Sequence, residues 1–212
     1  MYKALFFIFL ISCSVVAAGL EKNENLDRLA VHFGLVEKFF LGRDFNRELF
    51  DNTLKTDEFF KEKFESSETF QAVREKLSSG KTDITKTAFF DALIDDWFEE
   101  KSVFLMLAGQ LPEDGHDPTI DFLKFSSELA KAMKDAEIKI LTPENSRWSE
   151  FFADNSGPNW AKAREACPLH KIGNSYSFIH DPLIEYFIVR QTAEEAAHHL
   201  RFTKYEDEPP ML

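Results

Sequence analysis

A mainly α-helical fold with a single small β-hairpin is what this 212-residue sequence predicts, and three patterns carry the expectation. Apolar residues, phenylalanine above all, recur at three- and four-residue steps over most of the chain, the spacing that places them on one helix face. Capping side chains stand before proline at Asp117-Pro118, Thr142-Pro143 and Asp181-Pro182. Proline at the first helical position loses no hydrogen bond, because that N–H has no intrahelical partner. Only the segment around Gly173-Asn174-Ser175 reads as paired strands.

The chain opens on MYKALFFIFLISCSVVAAG, which has the anatomy of a secretory signal over residues 1–18. Lys3 gives a positive end, Ala4 to Val16 is an uncharged and mostly apolar run, and Val16-Ala17-Ala18 supplies the small residues accepted at a cleavage site after Ala18. The run is short for a membrane span, which needs about 20 apolar residues. Leu10-Ile11-Ser12-Cys13 offers an alternative, since it resembles a bacterial lipobox in which Cys13 is lipidated. A third possibility is the buried first helix of a truncated chain, with a cytoplasmic location as the alternative. The adopted reading is a secreted or extracytoplasmic protein that touches membrane only through the signal or a lipid anchor at Cys13. The mature chain then keeps Cys167 as its sole cysteine, so no internal disulfide framework supports it.

Residues 19–80 form an acidic, Phe-rich helical region. Leu26, Leu29, Phe33, Val36 and Phe40 make one helix face, and Phe45, Leu49 and Phe50 continue it after a break at Gly42. Phe59, Phe60 and Phe64 fit a short helix starting near Thr56 or Asp57. Ser66 or Ser67 can cap the next, which holds Phe70, Val73 and Leu77 and closes at Ser78-Ser79-Gly80. Thirteen of the 23 Phe lie between Phe33 and Phe104, a stripe expected to be core. The alternative use of such a region is an apolar cavity for a small molecule or lipid, lined by Phe33, Phe40, Phe59 or Phe64.

Residues 81–205 form the second region. A helix from near Thr85 carries Phe89, Phe90, Leu93, Ile94, Trp97 and Phe98 and continues through Leu105 to Leu111, before Pro112. Asp117 caps a helix with Phe122, Phe125, Leu129 and Met133 on one face. Ser146 can cap Trp148, Phe151 and Phe152, and Gly157-Pro158 opens a helix to about Ala166. Gly173 and Asn174 tolerate positive φ, so a tight reversal between Leu169–Ile172 and Tyr176–Ile179 gives the hairpin, within about 168–179. The last helix runs from Pro182 through Tyr186 and Phe187 toward Leu200, and an acidic tail occupies 206–212.

Charge removes one class of function. With 25 Lys+Arg against 37 Asp+Glu the chain stands at −12, and a phosphate-binding footprint needs a basic face. Gly80-Lys81-Thr82 looks like the end of a P-loop, but Glu75 stands where the first glycine is required. Glu195 and His198 have the spacing of a di-iron carboxylate–histidine pair, yet their only counterpart, Glu113 and His116, sits in a turn. His198-His199 offers no more than adventitious metal binding. His180-Asp181 has no partner segment that would complete a metal site. No G-x-S-x-G elbow is present, and neither Cys167 nor any serine has an evident base. The sequence therefore predicts no enzyme, no cofactor and no metal.

Three stretches carry a family resemblance. Ala166-Cys167-Pro168-Leu169, then Tyr176-Ser177-Phe178-Ile179-His180, then Leu183-Ile184-Glu185-Tyr186-Phe187 resemble the winged-helix end of NACHT-type STAND NTPases. The run Ala88 to Trp97 is similar to that family's helix ending in Trp, and Phe125 to Met133 looks like its first winged-domain helix. The resemblance covers about Thr82 to Arg190. It implies a C-terminal winged-helix-like unit and gives His180 the position that contacts the diphosphate of bound ADP. That contact is expected to be vestigial, because the P-loop and the acidic Mg²⁺ strand have no counterpart here. The combined expectation is a non-enzymatic, exported module that binds another protein. The alternatives are an apolar-ligand binder and a cytosolic NTPase remnant.

Overall fold

The computed structural model describes residues 24–41, 44–80, 84–111, 116–153 and 160–206, with side chains described through Ala197. The processing positions Ala18 and Cys13, the Gly42 break, Lys81-Thr82, Gly157-Pro158, the side chains of His198 and His199, and residues 207–212 lie outside the described residues. In chain order the elements are α1 (24–39), α2 (Arg47–Thr56), α3 (Glu58–Ser66), a 3₁₀ turn (Glu68–Phe70) running into α4 (Gln71–Ser78), and α5 (Lys86–Leu107). There follow α6 (Pro118–Asp135), α7 (Trp148–Phe152), α8 (Trp160–Ala166), β1 (Leu169–Ile172), β2 (Ser175–Phe178) and α9 (Leu183–Glu206). The protein is mainly α-helical with one small antiparallel hairpin, as the sequence predicts.

Local chemistry sets most helix starts. Asp57 accepts from Phe60 N–H at 2.9 Å to begin α3, and Thr85 Oγ1 accepts from Ala88 N–H at 3.2 Å to begin α5. Asp117 accepts from Thr119 N–H at 2.9 Å, with Pro118 as first residue of α6. Each satisfies a donor that the helix itself leaves unpaired. Four expected starts differ. Ser67 heads a 3₁₀ turn and bonds Thr69 Oγ1 rather than capping α4. Thr142-Pro143 opens a turn and not a helix, with Asn145 N–H donating to the Thr142 carbonyl at 2.9 Å. Arg147, not Ser146, precedes α7. The Asp181 carboxylate pairs with Lys139 Nζ at 2.5 Å, and α9 begins at Leu183, one residue after Pro182, with Tyr186 N–H donating to the Pro182 carbonyl.

The hairpin turns at Gly173-Asn174. Gly173 takes φ of 62°, the left-handed region a glycine enters without penalty, and Ile172 pairs with Ser175 across the two-residue loop. Leu169 faces Phe178 at the open end. Beyond this pair, Leu141 makes an isolated antiparallel bridge to Tyr176, with N–H···O distances of 2.8 and 2.9 Å in the two directions. β2 is thereby bonded on both edges, and the Tyr176 ring stacks on Phe152 at 3.9 Å.

Packing is organised around α5. Phe89, fully buried, contacts the rings of Phe39, Phe45, Phe50 and Phe70 at 5.8 to 6.5 Å. Farther along, Phe98 meets Phe122 of α6 and Phe187 of α9, while Trp97 Nε1 donates to the Ala166 carbonyl at 2.6 Å and so ties α8 to α5. One buried cluster runs from Leu26 to Phe187 across the Gly80 turn. α6 reaches α8 and α9 through small residues. Ser126 Oγ donates to the Phe122 carbonyl at 2.8 Å and lies 3.2 Å from Cys167 Sγ, and Ser127 Oγ donates to the Phe187 carbonyl. These bonds satisfy hydroxyls that would otherwise be costly to bury. On α1, fully buried Phe39 closes the apolar stripe against Phe50 and Phe60, with Phe40 half-buried beside Phe45. Of the four Phe that would line a lipid cavity, Phe33, Phe40 and Phe64 pack ring against ring, and Phe59 borders a surface cleft.

Phe89→Ala should therefore lower unfolding stability by about 3–5 kcal/mol, the usual loss for a fully packed Phe. Urea denaturation followed by far-UV circular dichroism measures it, and a loss below 1 kcal/mol would contradict a solid aromatic core there.

Candidate functional site

The most distinctive surface feature is a cleft of about 480 Å³ between α1, α3, the 3₁₀ turn and α5. Its wall on α1 follows from one substitution in an apolar pattern. Leu26, Leu29, Phe33, Val36 and Phe39 are buried, and His32 takes a position on the same stripe. The His32 imidazole is only 3% exposed, stacks on Phe59 at 5.4 Å and meets the edge of Phe60 at 5.2 Å. It makes no hydrogen bond to any described residue. Burial pushes its pKa down to about 4; Asp57 and Asp96 oppose that shift, while Lys63 and Arg28 add to it. The ring is therefore neutral at neutral pH.

Across the cleft, Phe59 and Lys63 stand four residues apart on α3. Lys63 Nζ reaches over to α5 and pairs with both Asp96 and Glu100. Burial alone would lower the Lys63 pKa, but the two carboxylate hydrogen bonds outweigh it and hold the ammonium above its ordinary range. Lys63 is thus a fixed cation, unsuited to nucleophilic work, which needs a free amine. Glu62, Glu68 and Glu99 complete the rim without an ion pair to a described residue. Burial and the neighbouring carboxylates of Asp96, Asp95, Glu68 and Asp117 raise the Glu99 pKa, a sign of the negative potential at this edge. Among the described residues no group of three His, Cys, Asp or Glu side chains is arranged to hold a metal ion.

A second polar constellation locks α9 to α5. Tyr186 Oη donates to Asp91 Oδ1 at 2.8 Å, and Arg190 donates to Tyr186 Oη at 2.8 Å and to Asp95 at 2.7 Å. Burial raises the Tyr186 and Asp91 pKa values. Every polar atom named here has a partner, which marks the group as a structural tie.

The residues singled out in the sequence lie elsewhere. His180 packs parallel to Phe33 at 5.7 Å and edge-on to Phe90 at 6.3 Å. Its Nε2 lies 3.3 Å from Glu37 Oε2 but without hydrogen-bond alignment, and burial lowers its pKa. Glu185 pairs with Lys134 on the surface, and Glu195 accepts from Gln191 at 3.0 Å. Cys167 is buried, and its thiol is pushed up to about 12 by that burial, so it is inert as a nucleophile at neutral pH. The cleft escaped sequence reasoning because its members come from three helices and a turn, spread over some 75 residues. The available signal was His32 itself, a lone histidine on an apolar helix face.

The chain matches no family model, no curated protein and no solved structure.

The His32 environment sets a pH dependence. Unfolded His32 takes up a proton near its ordinary 6.5, whereas the folded ring resists until about 4. The unfolded state then binds more protons, so this contribution is fully present above pH 6.5 and is lost as pH falls toward 4. The difference is about 3 kcal/mol at 1.36 kcal/mol per pKa unit. His32→Phe keeps the ring packing and removes the titration. Urea unfolding at pH 7 and pH 4 should show wild type losing about 3 kcal/mol relative to this variant; parallel losses would refute the assignment.

Proposed function

We propose that this protein is a non-enzymatic protein-interaction module, exported from the cell that makes it, whose contact surface is the exposed end of α5. One observation carries the reading. Val103, Phe104, Met106 and Leu107 are 50 to 80% exposed, whereas Leu105 between them is buried. At 100° per residue the four span an arc of roughly 160° on one side of the helix, opposite Leu105. Apolar side chains gathered at a helix end mark a contact surface far better than the same residues scattered singly.

The order of elements supports the winged-helix-like part of this reading. α6, the single-residue strand at Leu141, α7, α8, β1, β2 and α9 follow one another, with β2 between Leu141 and β1 in the sheet. This is the order a winged helix takes, and it agrees with the resemblance to the C-terminal part of NACHT-type STAND NTPases. The net charge of −12 argues against phosphate-backbone binding, so the wing serves packing and protein contact. His180, clasped by Phe33, Phe90 and Glu37, acts in this reading as a packing residue at the start of α9.

A photo-crosslinking residue at position 107 should give one discrete protein adduct when the protein is produced in its native cell. Phe104→Glu should reduce that adduct at least tenfold, and moving the crosslinker to Ile172, which is apolar and 72% exposed, should not reproduce it. Equal adducts at both positions, or none, would overturn the contact surface. Export has its own test. Mass spectrometry of the mature N-terminus should find Gly19, while a lipidated Cys13 would signify anchoring and a retained Met1 would overturn export.

A further inference from the structure

We infer that the apolar end of α5 is the interface for a second copy of this chain. The two copies meet in an antiparallel twofold contact, with Val103, Phe104, Met106 and Leu107 packed on their equivalents and Glu100 of each copy facing Lys162 of the other. The inference rests on the protein-contact reading and names the partner at that same surface.

The shape of the patch comes first. Leu105 anchors the last turns of α5 in the core, and its four apolar neighbours point the other way. At 100° per residue, Val103 and Leu107 run along the middle of the exposed arc, with Met106 on one side and Phe104 on the other. Such a ridge packs against a second helix, and a twofold axis across it lays the ridge antiparallel on itself, Val103 of one copy beside Leu107 of the other. That operation keeps each flank of the ridge against the same flank of the other copy. One flank holds Trp97, Glu100 and Phe104 at three- and four-residue steps. Trp97 Nε1 donates to the Ala166 carbonyl, so this flank adjoins α8.

Charge then identifies the occupant. Along the α8 flank the sign reverses from one end of the patch to the other. Glu100 lies one turn before Phe104 and stays 51% exposed although Lys63 pairs with it. At the far end, just past α5, Lys162 of α8 donates to Gln110 Oε1 at 3.1 Å and forms no salt bridge to a described residue. Antiparallel copies bring each glutamate to the other copy's lysine, twice per dimer, and complementary rim charges of this kind fix register and orientation. A uniformly basic or acidic partner answers one end and is repelled by the other. Two copies at −12 repel at long range, but physiological salt screens exposed charges beyond roughly 8 Å. Four partly exposed side chains offer less than the roughly 800 Å² per partner of a standard interface, so association in the micromolar range is expected.

Sedimentation velocity of the purified protein in physiological salt, from about 1 to 200 µM, should show a monomer giving way to a dimer. Phe104→Glu, checked for folding by its melting curve, should remain monomeric, while Ile172→Glu at the exposed hairpin should dimerise like wild type. Glu100→Lys alone and Lys162→Glu alone each set like charges across both rims and should weaken self-association at least fivefold. Mixing these two variants restores both opposite-charge pairs, so the mixed dimer should regain wild-type affinity. The inference is overturned if the wild type stays monomeric, if Phe104→Glu dimerises, or if the mixture associates no better than each variant alone. Crosslinking from position 107 in the native cell separates the two readings. An adduct of twice the chain's mass supports the second copy, an adduct of another mass overturns it while leaving the protein-contact surface intact, and no adduct overturns both.

Discussion

The constraint on which everything else depends is that α5 is buried on more than one side. A surface helix needs one apolar stripe, but α5 carries Phe89 toward the rings of α1, α2 and the 3₁₀ turn, and Phe98 toward α6 and α9. Phe90 adds contacts to His180 and Tyr186. Remove α5, and the Phe-rich helices before it and the hairpin-bearing unit after it each lose the surface that completes their core. Ring edges meeting ring faces are the usual arrangement in this cluster, which is how aromatic quadrupoles prefer to pack. A core rich in Phe can thus be dense without being uniform.

The polar residues of α5 follow from the same geometry. Two apolar faces leave narrow strips between them, and each strip carries carboxylates four residues apart. Asp91 and Asp95 turn toward Tyr186 and Arg190 on α9, whereas Asp96 and Glu100 turn toward Lys63 on α3. One strip is fully satisfied and acts as a tie. The other is satisfied around Lys63 but leaves carboxylates over at its margin, next to the His32 imidazole that lines the cleft. That contrast separates a structural network from a candidate binding surface, although both are built from the same residue types on the same helix.

Much of the architecture was legible in the residues. The starts of α3, α5 and α6 depend on side chains that bond their own backbone two or three positions on, and Asp57, Thr85 and Asp117 do so here. The hairpin turn was equally local, since Gly173 supplies the positive φ that reverses the chain. In two of the expectations that changed, the expected capping side chain bonds another group: the Asp181 carboxylate pairs with Lys139, and the Thr142 hydroxyl donates to Asn145 Oδ1 at 3.2 Å. The cleft was not legible, because Asp96 and Glu100 become a lysine clamp only when α3 lies against α5.

By itself, then, the sequence determined the helical class, the periodic apolar faces, the turn chemistry and the acidic balance, all of which act within a few residues or over the whole chain. Only the tertiary structure decided that α5 would be the common axis and that Leu141 would bond the free edge of β2. It also decided that His180 would rest on Phe33 and Phe90, and that His32 would pack on Phe59 and Phe60 beside a carboxylate rim. The physical reason is one of range. Capping, periodicity and turn conformation are set by neighbours along the chain, whereas desolvation and charge pairing are set by neighbours in space.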